Sequence, residues 1–508
     1  MSKKTLLLLG FILLKFILQY SLISSDYDLQ RDEYLHLDQA HHLAWGYLSV
    51  PPFTSWISSL ILLLGNSIFW VKFFPALFGA LTIVVVWKAI EELKGNLFAL
   101  ILGAVCVFFS ALLRLNTLYQ PNSFDVLCWT AFYFILIKYI NSENAKWLYV
   151  SAIVFVFGFL NKYNIAFLFI GLVPAIAVTQ QRKIFAQPKL YLAFAFGLLL
   201  ILPNLLWQYR NNFPVIHHLK ELADTQLVYV DRLGFLKSQL LFFIGSLLVI
   251  VSGLLSLLFY KPFKKYRFFF WSIVFTLAIF MYFKAKDYYA IGLYPIYIAF
   301  GSVYLENQLK EGWKRYLQPV LIVMPILFFI PMYTAFFPNK SPEYIVAHSK
   351  PYQDLGLLRW EDGKNHSLPQ DFADMLGWKE LAVKVDSVAE TLPDLEHTII
   401  LCDNYGQAGA INYYSKNKRV TANSFNADYV NWISLDKEIK DVVLIKEKND
   451  EDPERKVEKP FFDTIYVAAK RMNKYARESE ITIYVLKGAK IDVRKRIKQE
   501  IDSEKNYE

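Results

Sequence analysis

Charge is scarce in this sequence. Asp, Glu, Lys and Arg together make up 19% of its 508 residues, whereas a soluble protein carries about 25%. Cysteine is scarcer still: there are three, with Cys106 and Cys128 in apolar stretches and Cys402 alone. That excludes a disulfide framework and leaves packing thiols. A Gly-rich phosphate loop, a Walker motif, a nucleophile elbow and zinc-ligand spacing are all missing, which argues against cytoplasmic ATP chemistry. What is plentiful is apolar surface. Hydrophobic residues reach 55% and aromatics 17%, with a mean hydropathy of +0.29. These figures exclude a disordered chain and a collagen-like fibre. They predict an α-helical polytopic membrane protein with a soluble part attached.

The charge that is present divides sharply. Residues 1–337 hold 27 Lys and Arg against 15 Asp and Glu, a net of +12, and residues 338–508 hold 27 against 30, a net of −3. The overall +9 is therefore no nucleic-acid signal. It belongs to the apolar part, where basic residues orient helices in a bilayer. Two domains follow: a membrane domain over 1–337 with a long first outer loop at 24–66, and a soluble domain over 338–508.

A bilayer core needs about 20 apolar residues per helix. About eleven spans are expected, near 5–23, 67–90, 97–113, 123–140, 147–160, 164–179, 190–207, 234–260, 267–283, 287–305 and 316–337. The fifth and sixth are short with Lys162 between them, so they read either as two spans or as one broken hairpin. The first resembles a signal peptide, yet Lys15 interrupts it and no small-x-small site precedes Ser24-Ser25-Asp26. It is read as a retained anchor. Lys3-Lys4, Lys94, Lys146, Arg182-Lys183, Lys261 to Arg267 and Lys310 to Arg315 fall on one side, which the positive-inside rule makes cytoplasmic. The loops 24–66, 114–122, 161–163, 208–233 and 284–286, and everything after 337, then lie outside, in a plasma (inner) membrane with an extracytoplasmic tail.

The outer loops carry the chemistry-bearing residues. In the first, Asp32-Glu33 precedes an apolar pattern at 34, 35, 37, 40, 43 and 44 that approximates a helical stripe. The pair suits either a catalytic carboxylate or an N-terminal cap by Asp32. Glu33 and His36 have helical spacing for two metal ligands, without a third. Asp125 opens an apolar span, where an ionisable group is a functional candidate or a helix-start carboxylate. Lys162-Tyr163 and Lys286 with Asp287-Tyr288-Tyr289 put cations on the outer side, against the positive-inside trend. They read as partners for an anionic ligand such as a phosphate, or as snorkelling lysines. Trp45, Tyr47 and Trp56 suit sugar C–H faces or interfacial anchoring.

In order along the chain, the acidic pair, His42-Leu43-Ala44-Trp45-Gly46-Tyr47, Pro51-Pro52, Pro121 to Asp125, Gly158 to Tyr163, Leu202 to Tyr209, Lys286 to Tyr289 and Leu293-Tyr294-Pro295 resemble the bacterial members of glycosyltransferase family 39. Those are relatives of the dolichyl-phosphate-mannose protein mannosyltransferases and of lipid A aminoarabinose transferases. Gly377-Trp378 and Asn404 to Ala410 resemble the tail of the same group. The resemblance implies the GT-C fold and an inverting transfer of a sugar from a polyprenyl-phosphate donor. The acceptor would be a lipid, glycan or protein outside the cytoplasm. It implies catalytic roles for Asp32, Glu33 and Asp125, and donor-phosphate contacts from Lys162, Tyr163, Lys286 and Tyr288. Trp45 and Tyr47 are the expected substrate-binding aromatics. Some relatives use a divalent metal ion and others do not, and no ligand set here decides between them. The residues fit this chemistry independently: an activated donor needs no nucleotide site, only a base and cations for the departing phosphate.

In the tail, a helix is expected over 374–391 and another around 406–414. Strands are expected at 398–402, 441–445 and 482–486, giving a small α/β domain. The stretch 446–459 reads as a solvated loop. A transporter or flippase of lipid-linked sugars is the competing function. It predicts paired repeats and midplane charges, whereas this chain shows no duplication and gathers its ionisable groups at one interface.

Overall fold

The computed structural model describes residues 2–505. The chain folds as two compact units. The first comprises Met1–Ile23, Val50–Thr54 and Phe69–Asn339, and the second Ser24–Ser49, Ser55–Ile68 and Lys340–Glu508.

The first unit is helical throughout. Among the described residues, six helices are long and apolar enough to cross a membrane: Lys3–Ser21, Ile68–Glu92, Asn122–Ser142, Pro188–Arg210, Asp287–Gln308 and Gly312–Ala335. Two pairs are bent at a short break, Ile165–Ala177 with Gln180–Ala186 by 108° and Arg232–Leu241 with Ile244–Phe259 by 67°. Counted as single spans they bring the number to eight. Each of the eleven expected runs contains a helix, but length separates them. Lys146–Asn161 has 16 residues and rises about 24 Å, short of the roughly 30 Å of a hydrocarbon core. The run 97–113 divides at Phe108, and the short helix Leu112–Leu115 continues it. Lys146–Asn161 and Ile165–Ala177 are two helices, separated by Lys162, Tyr163 and Asn164.

The second unit is built on a five-stranded sheet. The strands are β1 (Thr398–Cys402), β2 (Ala422–Ser424), β3 (Asp441–Glu447), β4 (Phe462–Met472) and β5 (Glu480–Ala489). Their order is β2-β1-β3-β5-β4. β1 runs parallel to β2 and β3, with Ile400 opposite Ala422 and Val443, while β5 pairs antiparallel with β3 and β4. Three strands and the helices Trp378–Glu390 and Tyr405–Tyr414 fall where the periodicity placed them. β2 and β4 are additions. β4 is an edge strand with a register shift at Val467/Ala469, and most of its residues are not buried, so it lacks the alternation that marks a half-buried strand.

The larger correction concerns the first outer loop. Residues 24–49 and 55–68 pack in the second unit rather than in the membrane part. The reason is hydrogen bonding and close packing. Asp28 N donates to Met375 O at 2.7 Å and Arg31 N to Asp374 O at 3.2 Å. Gly377, at φ +83°, precedes helix Trp378–Glu390 and has no side chain to cap it. Asp28 Oδ2 supplies the cap from elsewhere in the chain, accepting from Trp378 N at 2.9 Å and Lys379 N at 3.2 Å. Tyr34, fully buried, meets Trp378 edge-on at 6.2 Å and Tyr414 at 5.8 Å.

Candidate functional site

In the first unit, the polar residues expected in separate loops converge on the start of helix Asn122–Ser142. Asp125 is 5% exposed. Its Oδ1 accepts from Trp129 Nε1 and its Oδ2 from Asn164 Nδ2, both at 2.9 Å. Asn164 also donates to Tyr289 O at 2.9 Å. Lys162 Nζ donates to Asn122 Oδ1 at 2.8 Å and lies over the Tyr289 ring at 4.3 Å and the Tyr288 ring at 5.1 Å, a cation–π geometry. Burial pushes the Lys162 ammonium down to about 8. The Asp125 carboxylate opposes that shift and the Lys286 ammonium adds to it. Burial also lowers His218, with Glu221 opposing and Lys286 contributing. Tyr163 is tied beside them: its hydroxyl donates to Asn204 Oδ1 at 3.2 Å and accepts from Gln208 Nε2 at 2.9 Å.

The cluster therefore assembles Asp125, Lys162, Lys286, Tyr163 and Tyr288, and adds Asn122, Trp129, Asn164 and Tyr289. The two oxygens of Asp125, a candidate catalytic carboxylate, are each engaged by a neutral donor and its side chain is buried. It orients Asn164 and supplies the negative charge that favours protonated Lys162. A sequence signal for Trp129 existed, since it stands four residues after Asp125 on one helix face. Asn164 gave none beyond its nearness to Lys162.

The acidic pair lies in the second unit, on helix Arg31–Asp38. Asp32 is not the cap. Gln30 is: its Oε1 accepts from Asp32 N at 2.8 Å, while Glu33 Oε2 accepts from Gln30 N at 2.7 Å, a capping box. Glu33, fully buried, thus has a structural task at the helix start. The Asp32 carboxylate is held differently, with Oδ1 accepting from Tyr405 Oη at 2.7 Å. Trp45 is 48% exposed and meets Trp56 edge-on at 5.9 Å. Tyr47, by contrast, is 2% exposed, and its hydroxyl donates to the backbone oxygens of Gln39 and His42. It fastens its own loop, and its ring offers no open face to a sugar. No group of three or more His, Cys, Asp or Glu placed to hold a metal ion occurs among the described residues.

A set of membrane-length helices and a C-terminal α/β region make up a fold of the GT-C type. Residues 49–207 match the family model of the dolichyl-phosphate-mannose-protein mannosyltransferases. Among solved structures, ArnT from Cupriavidus metallidurans bound to undecaprenyl phosphate aligns with a TM-score of 0.61 at 13% identity, covering 95% of this chain and 98% of that one. Its apo form aligns with a TM-score of 0.61 at 12% identity, over the same shares. At such identity the likeness to ArnT is one of fold. No curated protein matches the sequence. The resemblance seen in the motifs is borne out by the family model over residues 49–207, and the expected fold by the likeness to ArnT.

Proposed function

We propose that this protein is an inverting glycosyltransferase of the plasma (inner) membrane. It moves a sugar from a polyprenyl-phosphate donor to a lipid, glycan or protein acceptor on the extracytoplasmic face. The observation that carries the reading is the buried cluster around Lys162. A cation held by Asn122, flanked by two tyrosine rings and with Lys286 near enough to lower its proton affinity, is poised for an anion. A phosphate arriving there relieves the repulsion between the two ammonium groups.

In this mechanism the donor phosphate is held by Lys162 and Lys286. These fixed cations stabilise the negative charge that grows on the phosphate as the glycosidic bond breaks. Tyr163 and Tyr288 flank the lipid phosphate. Asp32 accepts the proton of the acceptor hydroxyl as it attacks the anomeric carbon from the opposite face, which inverts that centre. Asp125 acts one step back, through Asn164 and Lys162. Among the described residues no ligand set for a metal ion is gathered.

The test is mass spectrometry of envelope glycolipids, glycans and glycoproteins from cells with and without the protein. A sugar-bearing species that disappears with the protein and returns with its expression is expected; unchanged profiles reject the reading. Loss of a flippase would instead leave the donor on the wrong leaflet, so unglycosylated acceptor would accompany a cytoplasmic-side pool of lipid-linked sugar. For orientation, a reporter active only outside the cytoplasm should work when fused after residue 338 and stay silent within 180–189.

A further inference from the structure

Tyr405 stands 373 positions from Asp32 in sequence, in a part of the chain where no catalytic constellation was legible. Resting on the reading above, we propose that Tyr405 is a positioning residue for the Asp32 base, so that the C-terminal region takes part in the reaction through that phenol.

Three independent features hold the Tyr405 hydroxyl where it is. The first is the helix start. Asn404 caps helix Tyr405–Tyr414, its Oδ1 accepting from Gly406 N at 2.9 Å and Gln407 N at 3.2 Å. Its Nδ2 donates to Glu447 at 2.7 Å and Glu478 at 2.8 Å. The cap is thus anchored to the sheet region while it sets the first turn.

The second is close packing between this helix and Arg31–Asp38. A Cβ on Gly406 would stand 2.6 Å from Arg31 Cγ, and one on Gly409 would stand 2.7 Å from Tyr34 Cβ and Tyr429 Oη. Only glycine leaves room for that approach, which accounts physically for the Asn404 to Ala410 motif. The third is the Arg31 guanidinium, 4.3 Å from the Tyr405 ring centre. It holds the ring from its face, while the Arg31 backbone N–H is bonded to Asp374 O.

The chemistry of the contact is specific. A phenol donating to Oδ1 at 2.7 Å fixes the rotamer of the carboxylate and directs it. A general base acts only when it lies within hydrogen-bond reach of the proton it takes. Packing alone needs no hydroxyl: Phe would fill the same space and keep the Arg31 contact.

The experiment is a double-mutant cycle in cells, with Tyr405→Phe, Asp32→Asn and the double variant at matched expression, reading product formation by mass spectrometry. Purified proteins supply the undecaprenyl phosphate affinity and Tm. Tyr405→Phe is expected to lower the rate about 10- to 100-fold, the size of a lost hydrogen bond to a charged group, with affinity and Tm near the parent values. In the Asp32→Asn background it should cost nothing further, because both changes remove one unit. A 3,5-difluorotyrosine at 405, which keeps shape and donor, should restore the rate even if Phe lowers Tm. A fully active Asp32→Asn, or no product dependent on this protein, would sink the functional reading itself. With Asp32→Asn inactive, the positioning role is overturned by an unchanged Tyr405→Phe rate or by an equal loss in both backgrounds.

Discussion

The two units solve the burial of polar groups in opposite ways. In the helical unit, neutral amides hold the candidate site: Asn122, Asn161, Asn164, Asn204 and Gln208 bond to Lys162, Pro121 O, Asp125 and Tyr163, and Asp125 is the single carboxylate among them. In the second unit carboxylates do the holding. Asp28, Glu33, Asp38, Asp374, Asp428 and Glu478 are buried or nearly so and bond to backbone N–H groups, amides, phenols or Arg477. The difference follows from solvation. An amide can be satisfied pairwise in a lipid-embedded bundle without the desolvation cost of an ion. A water-facing α/β unit can bury acids by holding them protonated or paired. Burial, opposed by Arg477 and Arg31, raises Asp374 to about 7, and burial against bonds from Leu48 and Gln39 raises Asp428 to about 6. Burial, with Glu478 adding to it, raises Glu447 as well.

If base and phosphate site are divided in this way, rate and affinity should come apart. Asp32→Asn should reduce turnover by about 10²–10⁴-fold, the usual cost of losing a general base. Its fold should survive, since Gln30 is the cap, and undecaprenyl phosphate affinity should stay near the parent value. A variant that binds weakly but turns over normally would collapse the division.

Lys162→Ala is the converse. It should weaken undecaprenyl phosphate binding about 10- to 100-fold, as expected for a charge-assisted contact, with Lys286→Ala weakening it less. Equal binding by both variants would make these snorkelling lysines. Because Lys162 carries its proton only below about 8, the parent's phosphate affinity should fall as pH rises through that value, and Lys162→Arg should flatten the profile.

A smaller effect separates the units by packing. Gly409→Ala places a methyl group against Tyr34 and Tyr429 and should destabilise the second unit by about 1–3 kcal/mol. Hydrogen exchange should show lost protection in β1–β5, with the helical unit unchanged.

The last concerns pH. Carboxylates whose folded pKa is raised bind protons more tightly folded than unfolded, where they titrate near 4. Stability is therefore greatest at low pH within that window and falls as pH rises from about 4 to about 7. Hydrogen-exchange protection in β1–β5 should drop as pH rises between 5 and 7.5. A flat profile would mean these acids are ionised in the fold.

Much of this molecule was legible from residue order. Hydropathy located each helical run because a 20-residue apolar segment has few alternatives to a membrane helix. The strand at 398–402 was legible as a strand-like apolar run. Local charge against the positive-inside trend marked Lys162 and Lys286 for the same reason: both signals are properties of a short window. The rest depended on contacts far apart in sequence. That Asp125 is sealed by Trp129 and Asn164, that Gln30 rather than Asp32 caps its helix, and that Tyr47 closes its own loop are outcomes of donor geometry. That residues 24–49 belong to the second unit was decided by Asp28 capping a helix 350 positions away and by two glycines admitting a close approach. Neither is a pattern in any window, because hydrogen-bond partners and steric clearance exist only once distant segments have met.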